Sequence, residues 1–342
     1  MKKVIVFVIA LILVLGMMAC GNNKPAESAD STGSTETSSD ASNIKVGLIC
    51  DTAGLGDQSV NDQAQSGMDM IAERFGVHIE TAEPTDESQF IDMIQKFCDL
   101  DFDLIVCSAF SMEDALTQIA PNEPDTSFMI LDTIVDLPNV MSFTYATHEG
   151  SFLAGVAAAQ KTESNILGFV GGMSIPTIHK FEGGYIEGAQ FINPDIQVIS
   201  KYIGTDGSAW NDPATAKSLT LDIIANGGDV SYHAAGGSGL GMIEACQESG
   251  IWAIGVNIDQ SHIAPETVLT SMLTRGDVAI VLATEKLING EFEGGHVLLN
   301  CANDGVGIVI NDFFTQDEKD ELESIRQKII SGEIVVTDAS LS

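Results

Sequence analysis

Asp51, Asp132 and the pair Asn257 with Asp259 each follow a run of apolar residues: KVGLIC, SFMIL and WAIGV. A carboxylate or amide at the end of a strand can accept hydrogen bonds from a ligand's hydroxyl groups, and the neighbouring hydroxyls of a sugar suit such acceptors. Any one of them is explained equally well as the N-cap of the helix that follows. Their recurrence at several strand ends is what argues for one shared cleft. Asp51 leads into GDQSVNDQA (56 to 64), where Asp57, Ser59 and Asn61 meet any ligand outside the carboxyl ends of the strands.

Two aromatic residues stand in loops after strands. Phe110 and Trp210 could stack on a flat ligand such as a base. Packing within its own loop accounts for Phe110 as well. Trp210, flanked by Ser208, Asn211 and Asp212, is read as functional. The stretch AAGGSGLG (234 to 241) invites a dinucleotide reading, but counting from Gly237 only Gly239 fits, Met242 holds the third glycine position, and no Walker lysine follows. Either its backbone approaches a ligand at a helix N-terminus, or it makes a tight strand-to-helix turn.

Catalytic constellations are weak in the sequence: there is no GxSxG, no HExxH and no recognisable Cys/His pairing. His148 and His179 read as solvated or structural rather than as general bases. The six cysteines show neither CxxC nor metal-ligand spacing, and Cys50, Cys107 and Cys246 lie where a thiol acts as a small hydrophobe. The sequence therefore predicts a binding protein without a cofactor or metal, not an enzyme. With 49 acidic against 15 basic side chains, the net charge of -34 excludes nucleic acid as a partner, since no surplus of cations exists to neutralise phosphates.

From residue 44 onward apolar runs alternate with helical patterns. Strands are predicted at 45–50, 78–81, 104–107, 127–131, 140–143, 166–170, 197–202, 230–233, 252–256 and 268–271. Helices are predicted at 62–75, 87–100, 112–120, 151–160, 180–191, 213–226, 240–249, 277–287 and 315–331. Such alternation gives βαβ units and parallel sheets. The strands are too many for one sheet and the pattern restarts at Ile166, so an α/β fold of two Rossmann-like lobes is expected. The chain is expected to cross between lobes after Glu149, near Gln260, and in the segment 294–310. That gives a first lobe of 44–148 plus about 261–297 and a second of 149–260 plus about 298–342. A cleft between lobes is a favoured small-molecule site.

The N-terminus has the plan of a secretory signal: Met1 to Lys3 positive, Val4 to Leu15 apolar, then Ala19 before Cys20. The apolar run is shorter than the roughly 20 residues a spanning helix needs. Its end looks like a bacterial lipoprotein cleavage site, in which Cys20 becomes the lipid-bearing first residue, although Met17 and Met18 depart from the usual pattern. Residues 21–43, rich in Ser, Thr, Gly and acidic groups, read as a flexible tether.

Taken together, GDQSVNDQA, NVMSFTYATHEGSFLAG (139 to 155), FVGGMSIPTIHKFEGGYIEGA (169 to 189), GSAWNDPATAK (207 to 217), AAGGSGLGMIEA (234 to 245), WAIGVNIDQ (252 to 260) and TSMLTRGDVA (270 to 279) resemble the basic membrane protein family. These are the PnrA-like nucleoside-binding lipoproteins that serve ABC transporters. The resemblance implies a type I periplasmic-binding-protein fold with a three-crossing hinge, closing on a purine or related nucleoside. It also implies delivery to an ABC permease and ATPase, and a lipid anchor at Cys20 on the extracytoplasmic face of the cell membrane.

By the same resemblance, Asp132 and the Asn257 region match positions that hold ribose hydroxyls, Asn61 a base-contacting amide, Trp210 a stacking aromatic, and Gly237 a loop against the ligand. The chain departs from the family pattern at Val60 for a usual Phe, Gln65 where an aromatic is common, Asn257 for a usual Asp and Thr274 for a usual Lys. The paired loss of charge keeps neutrality and implies a changed ligand preference rather than lost binding. Two rival readings remain: the same fold closing on a free sugar or sugar-like signal, and a nucleoside-cleaving enzyme.

Overall fold

The computed structural model describes residues 41–341; the expectations for the signal segment, Cys20 and most of the tether lie outside them. In chain order the elements are β1 Lys45–Ile49, α1 Val60–Phe75, β2 His78–Ala82, α2 Phe90–Asp99, β3 Leu104–Cys107, α3 Glu113–Ile119, β4 Ser127–Leu131, β5 Val140–Tyr145 and α4 Thr147–Lys161. Then come β6 Ile166–Met173, α5 Pro176–Ile192, β7 Gln197–Gly204, α6 Pro213–Ala225, β8 Val230–Ala234, α7 Gly239–Ser249, β9 Trp252–Asn257 and β10 Val268–Thr274. The chain closes with α8 Gly276–Ile288, β11 Gly295–Leu299, β12 Val306–Ile308 and α9 Gln316–Ile330. Among the described residues no helix is long and apolar enough to cross a membrane.

Two six-stranded sheets form, ordered β11-β5-β4-β3-β1-β2 and β12-β10-β9-β8-β6-β7. All pairings are parallel except β10 with β12. Central strands such as β3 (LIVC) and β8 (VSYHA) are buried along their whole length, as sheets covered by helices on both faces require. The ten predicted strands are all present. Sequence reading missed β11 and β12, which are short edge strands: β11 is largely exposed and β12 has three residues, so neither carries a strong apolar signal. It also started α4 and α5 four residues late; at α5, Pro176 in the first turn is the start signal it passed over.

The chain passes between lobes three times. The first passage is at Ala146, whose N–H bonds the Leu299 carbonyl of the third passage at 2.8 Å. The second needs a correction. β10 pairs in register with β9, so residues up to Thr274 belong to the second lobe and the chain crosses at Arg275, not near Gln260. The strand was legible, but an apolar run does not say which sheet it will join. From there α8 packs on α1 of the first lobe, β11 joins β5, and the chain returns through 300–305 to β12. The Arg275 N–H bonds Gly305 O at 3.1 Å, so all three passages are laced together.

The second lobe is built on the contact of α4 with α5. Here α4 (THEGSFLAGVAAAQK) is buried on nearly every side, because small residues let the two backbones touch. A methyl group on Gly155 would be driven into the Tyr185 carbonyl and would lie 2.7 Å from Ala189 N; one on Gly184 would lie 2.8 Å from His148 Cα. The five described cysteines, Cys50, Cys98, Cys107, Cys246 and Cys301, are buried and unpaired, and burial pushes the Cys107 thiol up to about 12. Replacing Gly155 by Ala is expected to destabilise the protein by about 2–3 kcal/mol, read from the urea midpoint, because a closely packed backbone contact cannot make room.

Candidate functional site

The carboxyl ends of β1, β3, β4, β6, β8 and β9 converge on the cleft between lobes, at the place where an open α/β sheet binds its ligand. The first lobe contributes Asp51, Asp57, Ser59, Phe110, Ser111 and Asp132. The second contributes Thr177, Phe181, Trp210, Gly236 and Asn257. The cavity in the cleft is about 70 Å³, several times the roughly 10–15 Å³ that one water needs. Among the described residues, three carboxylates and no lysine or arginine line it.

Of the residues singled out from the sequence, Asp51, Ser59, Phe110, Asp132, Trp210 and Asn257 meet in this cleft. Three do not line it. Asn61 is fully buried and all its hydrogen-bonding capacity is used. Its Oδ1 accepts from Asp51 N and Ser108 Oγ, both at 2.9 Å, and its Nδ2 donates to Asp51 Oδ1 at 2.6 Å and Asp57 Oδ2 at 3.1 Å. It holds the carboxylates in place and leaves no donor for a base. Gly237 is buried behind Gly236, whose φ of 54° brings the loop to the cleft. Asp259 is exposed in a separate surface groove, where its Oδ1 accepts from Ser261 N at 3.0 Å in a local turn.

The three lining carboxylates differ in what they have left to offer. Asp57 accepts from the backbone of Ser59, Asn61 and Asp62 and from the Asn61 amide, so it is saturated. Burial pushes it up to about 6 although those backbone N–H groups favour its charge. Asp51 spends Oδ1 on Ala53 N and the Asn61 amide, while its other oxygen takes no bond among the described residues. The Asp132 side chain, on a residue with φ of 66° at the end of β4, has no hydrogen-bond partner among the described residues. Burial pushes it up to about 6, with Lys180 pulling the other way. A desolvated carboxylate without donors gains most from a ligand that brings them.

Phe110 and Trp210 face each other from opposite lobes, edge to face, with centroids 6.3 Å apart. The indole rests on Gly172 at the end of β6, where a methyl group would fall 2.9 Å from its Cη2. Asn257, also at positive φ (67°), donates from Nδ2 to Ser59 Oγ at 2.8 Å across the cleft, and its Oδ1 accepts from Thr274 Oγ1 at 3.2 Å. The pair Asn257 and Thr274 thus meets as neutral hydrogen-bonding groups. Sequence reasoning missed Ser111, whose buried hydroxyl has no partner, and Thr177 with Phe181 on the first turns of α5. Starting α5 at Pro176 would have brought Thr177 into view. His148 and His179 lie outside the cleft lining; burial lowers the former, and the latter bonds Ser174 Oγ at 3.0 Å.

Because the Asn61 amide is, among the described residues, the sole side-chain donor to two adjoining carboxylates, Asn61→Ala is expected to lower stability by about 2–3 kcal/mol in urea denaturation. It is also expected to disorder the loop 51–59, seen as lost amide protection in hydrogen exchange.

Residues 44–340 match the family model described as ABC transporter substrate-binding protein PnrA-like. The chain is 29% identical to the ABC transporter nucleoside-binding protein BmpA of Lactococcus lactis, over 98% of this chain and 99% of that one. It is 32% identical to basic membrane protein A of Borreliella burgdorferi, over 85% and 87%. Among solved structures it resembles an ABC transporter solute-binding protein from Aeropyrum pernix at 27% identity and a TM-score of 0.78, over 86% of this chain and 94% of that one. The cleft-forming lobes, the strand-end carboxylates and this match along the whole folded region lead to one statement: the chain belongs to the Bmp family of PnrA-like ABC transporter substrate-binding proteins.

Proposed function

We propose that this protein captures a nucleoside, a purine by preference, by closing its lobes, and delivers it to an ABC permease driven by a cytoplasmic ATPase. The observation that carries the reading is the unpartnered carboxylate of Asp132, with the open oxygen of Asp51, in a cleft that also holds Phe110 and Trp210 and no cation. Vicinal hydroxyls would donate to Asp132, and the Asn257 amide would take a further ribose contact. The base would enter between the two aromatic rings and part them, exchanging their edge contact for stacking on Trp210. Asp51 and the Ser59 and Ser111 hydroxyls would meet its polar edge. No lysine or arginine among the described residues lines the cleft to hold a phosphate, which favours nucleosides over nucleotides.

The nucleoside-binding relative from Lactococcus lactis supports the ligand class. The Ala19–Cys20 junction supports a lipid anchor on Cys20 that keeps the protein at the extracytoplasmic face of the membrane, with residues 21–43 as its tether. Family membership supports binding rather than catalysis.

Isothermal titration of the mature protein against purine and pyrimidine nucleosides tests the proposal: binding of at least one is expected, and no heat with any of them defeats it. Free ribose, run alongside, distinguishes a sugar site, for which Trp210→Ala would cost little; for a nucleoside that substitution is expected to weaken binding at least tenfold, or about 1.4 kcal/mol. Ligand hydroxyls bind the ionised form of Asp132, so affinity should be level above pH 6 and fall below it, by up to about tenfold per pH unit as the ligand competes with the proton. Asp132→Asn should weaken binding and make that profile shallower, leaving the part owed to Asp57, which burial also pushes up to about 6.

A further inference from the structure

Gln63 is buried on α1 of the first lobe, does not line the cleft, and makes bonds that fix its amide in one orientation. Its Nε2 donates to two main-chain carbonyls of the second lobe, Asn257 O at 2.8 Å at the end of β9 and Thr274 O at the end of β10. Its Oε1 accepts from Gly276 N at 3.1 Å, the first residue of α8, and from Thr274 Oγ1 at 3.2 Å. Carbonyls cannot donate and a backbone N–H cannot accept, so neither end of the amide can be reversed.

These bonds fall on both sides of Arg275, where the chain makes its second passage between lobes. Rotation about the Arg275 backbone moves Thr274 O and Gly276 N apart, and one amide cannot follow both. Gly276 leaves no slack, since a methyl group there would lie 2.7 Å from Gln63 Oε1 and 3.1 Å from the Tyr145 hydroxyl. Of the other bonds between lobes, Asn257 Nδ2 to Ser59 Oγ at 2.8 Å spans the cleft itself, and two more differ in kind. At the mouth, Gln260 Nε2 donates to Gln58 O at 2.7 Å, and His262 Nε2 meets Gln58 Oε1 at 2.7 Å. These join loop residues, and water can replace each partner as the mouth opens.

We propose that Gln63 is a positioning residue that clamps the second passage between lobes: it sets the closing angle and fixes the main chain of Asn257, the cleft residue held at positive φ. The clamp acts through Asn257 and the lobe angle, never through ligand contact. Its effect on ligand binding rests on the nucleoside reading, but its effect on lobe angle does not.

The test uses Gln63→Met, which keeps the length and removes every bond, and Gly276→Ala, which displaces the amide oxygen without removing the amide. Small-angle scattering of the empty protein should show a more open, broader distribution for each variant that keeps the wild-type circular dichroism. Stopped-flow with the tightest of adenosine, guanosine, inosine, cytidine and uridine should show dissociation at least tenfold faster, with association changed less. Gln63→Glu, isosteric but without a donor when ionised, should not rescue. Hydrogen exchange of the unmodified protein should find the Gly276 amide protected. Free exchange at Gly276, or variants whose scattering and dissociation both stay within experimental error of wild type, would overturn the clamp. If no nucleoside binds the wild type, the ligand proposal fails and scattering with exchange alone decides this one.

Discussion

The site depends on keeping carboxylates together without a cation. Asp51 and Asp57 approach the same point from the end of β1 and the start of α1, and in a cleft of low dielectric their charges would drive the loop apart. One neutral amide prevents this. Asn61 donates to both and anchors itself on Asp51 N and Ser108 Oγ, so the repulsion is absorbed by a group that does not line the cleft. Asp57 is then spent on the backbone that begins α1, and what is left facing the cleft is one oxygen of Asp51 and all of Asp132. The burden of solvating these groups passes to whatever binds.

Neutrality recurs at the back of the cleft. Asn257, Thr274, Gln63 and Ser59 form a chain of amides and hydroxyls where ionised partners would each require desolvation. Such groups give weak individual bonds, but their geometry is demanding, and the left-handed backbone at Asn257 is sustained only because its neighbours leave no alternative. What the cleft offers a ligand is accordingly hydrogen-bond capacity left unspent by the protein's own neighbours.

Much of the architecture was legible in the sequence because parallel strands buried on both faces are written as unbroken apolar runs; LIVC and SFMIL need no context. Edge strands such as GHVLL answer to fewer neighbours and left no clear mark. Sheet membership was also beyond a linear pattern, which is why β10 was given to the wrong lobe. Within the site, residue type at a strand end foretold which side chains gather in the cleft, as with Asp132 and Trp210. It could not foretell which of them are already satisfied by neighbours distant in sequence. Asn61 is expected at the ligand from its place after β1 and from the resemblance, whereas Asp51, Asp57 and the Ser108 hydroxyl, 47 positions away, take up its capacity. Asp259 differs from Asn257 by two positions and by an entirely different exposure, a distinction set by the turn after β9.

The buried thiols carry a consequence of their own. Thiolate is the form that reacts with oxidants and disulfides, and burial among apolar side chains and carboxylates holds Cys98, Cys107, Cys246 and Cys301 at about 12, with Cys50 higher still. Burial thus disfavours the thiolate at all five described cysteines. The described thiols are thereby shielded from oxidants while the protein is folded, and their period of risk is confined to the unfolded chain before the sheets close.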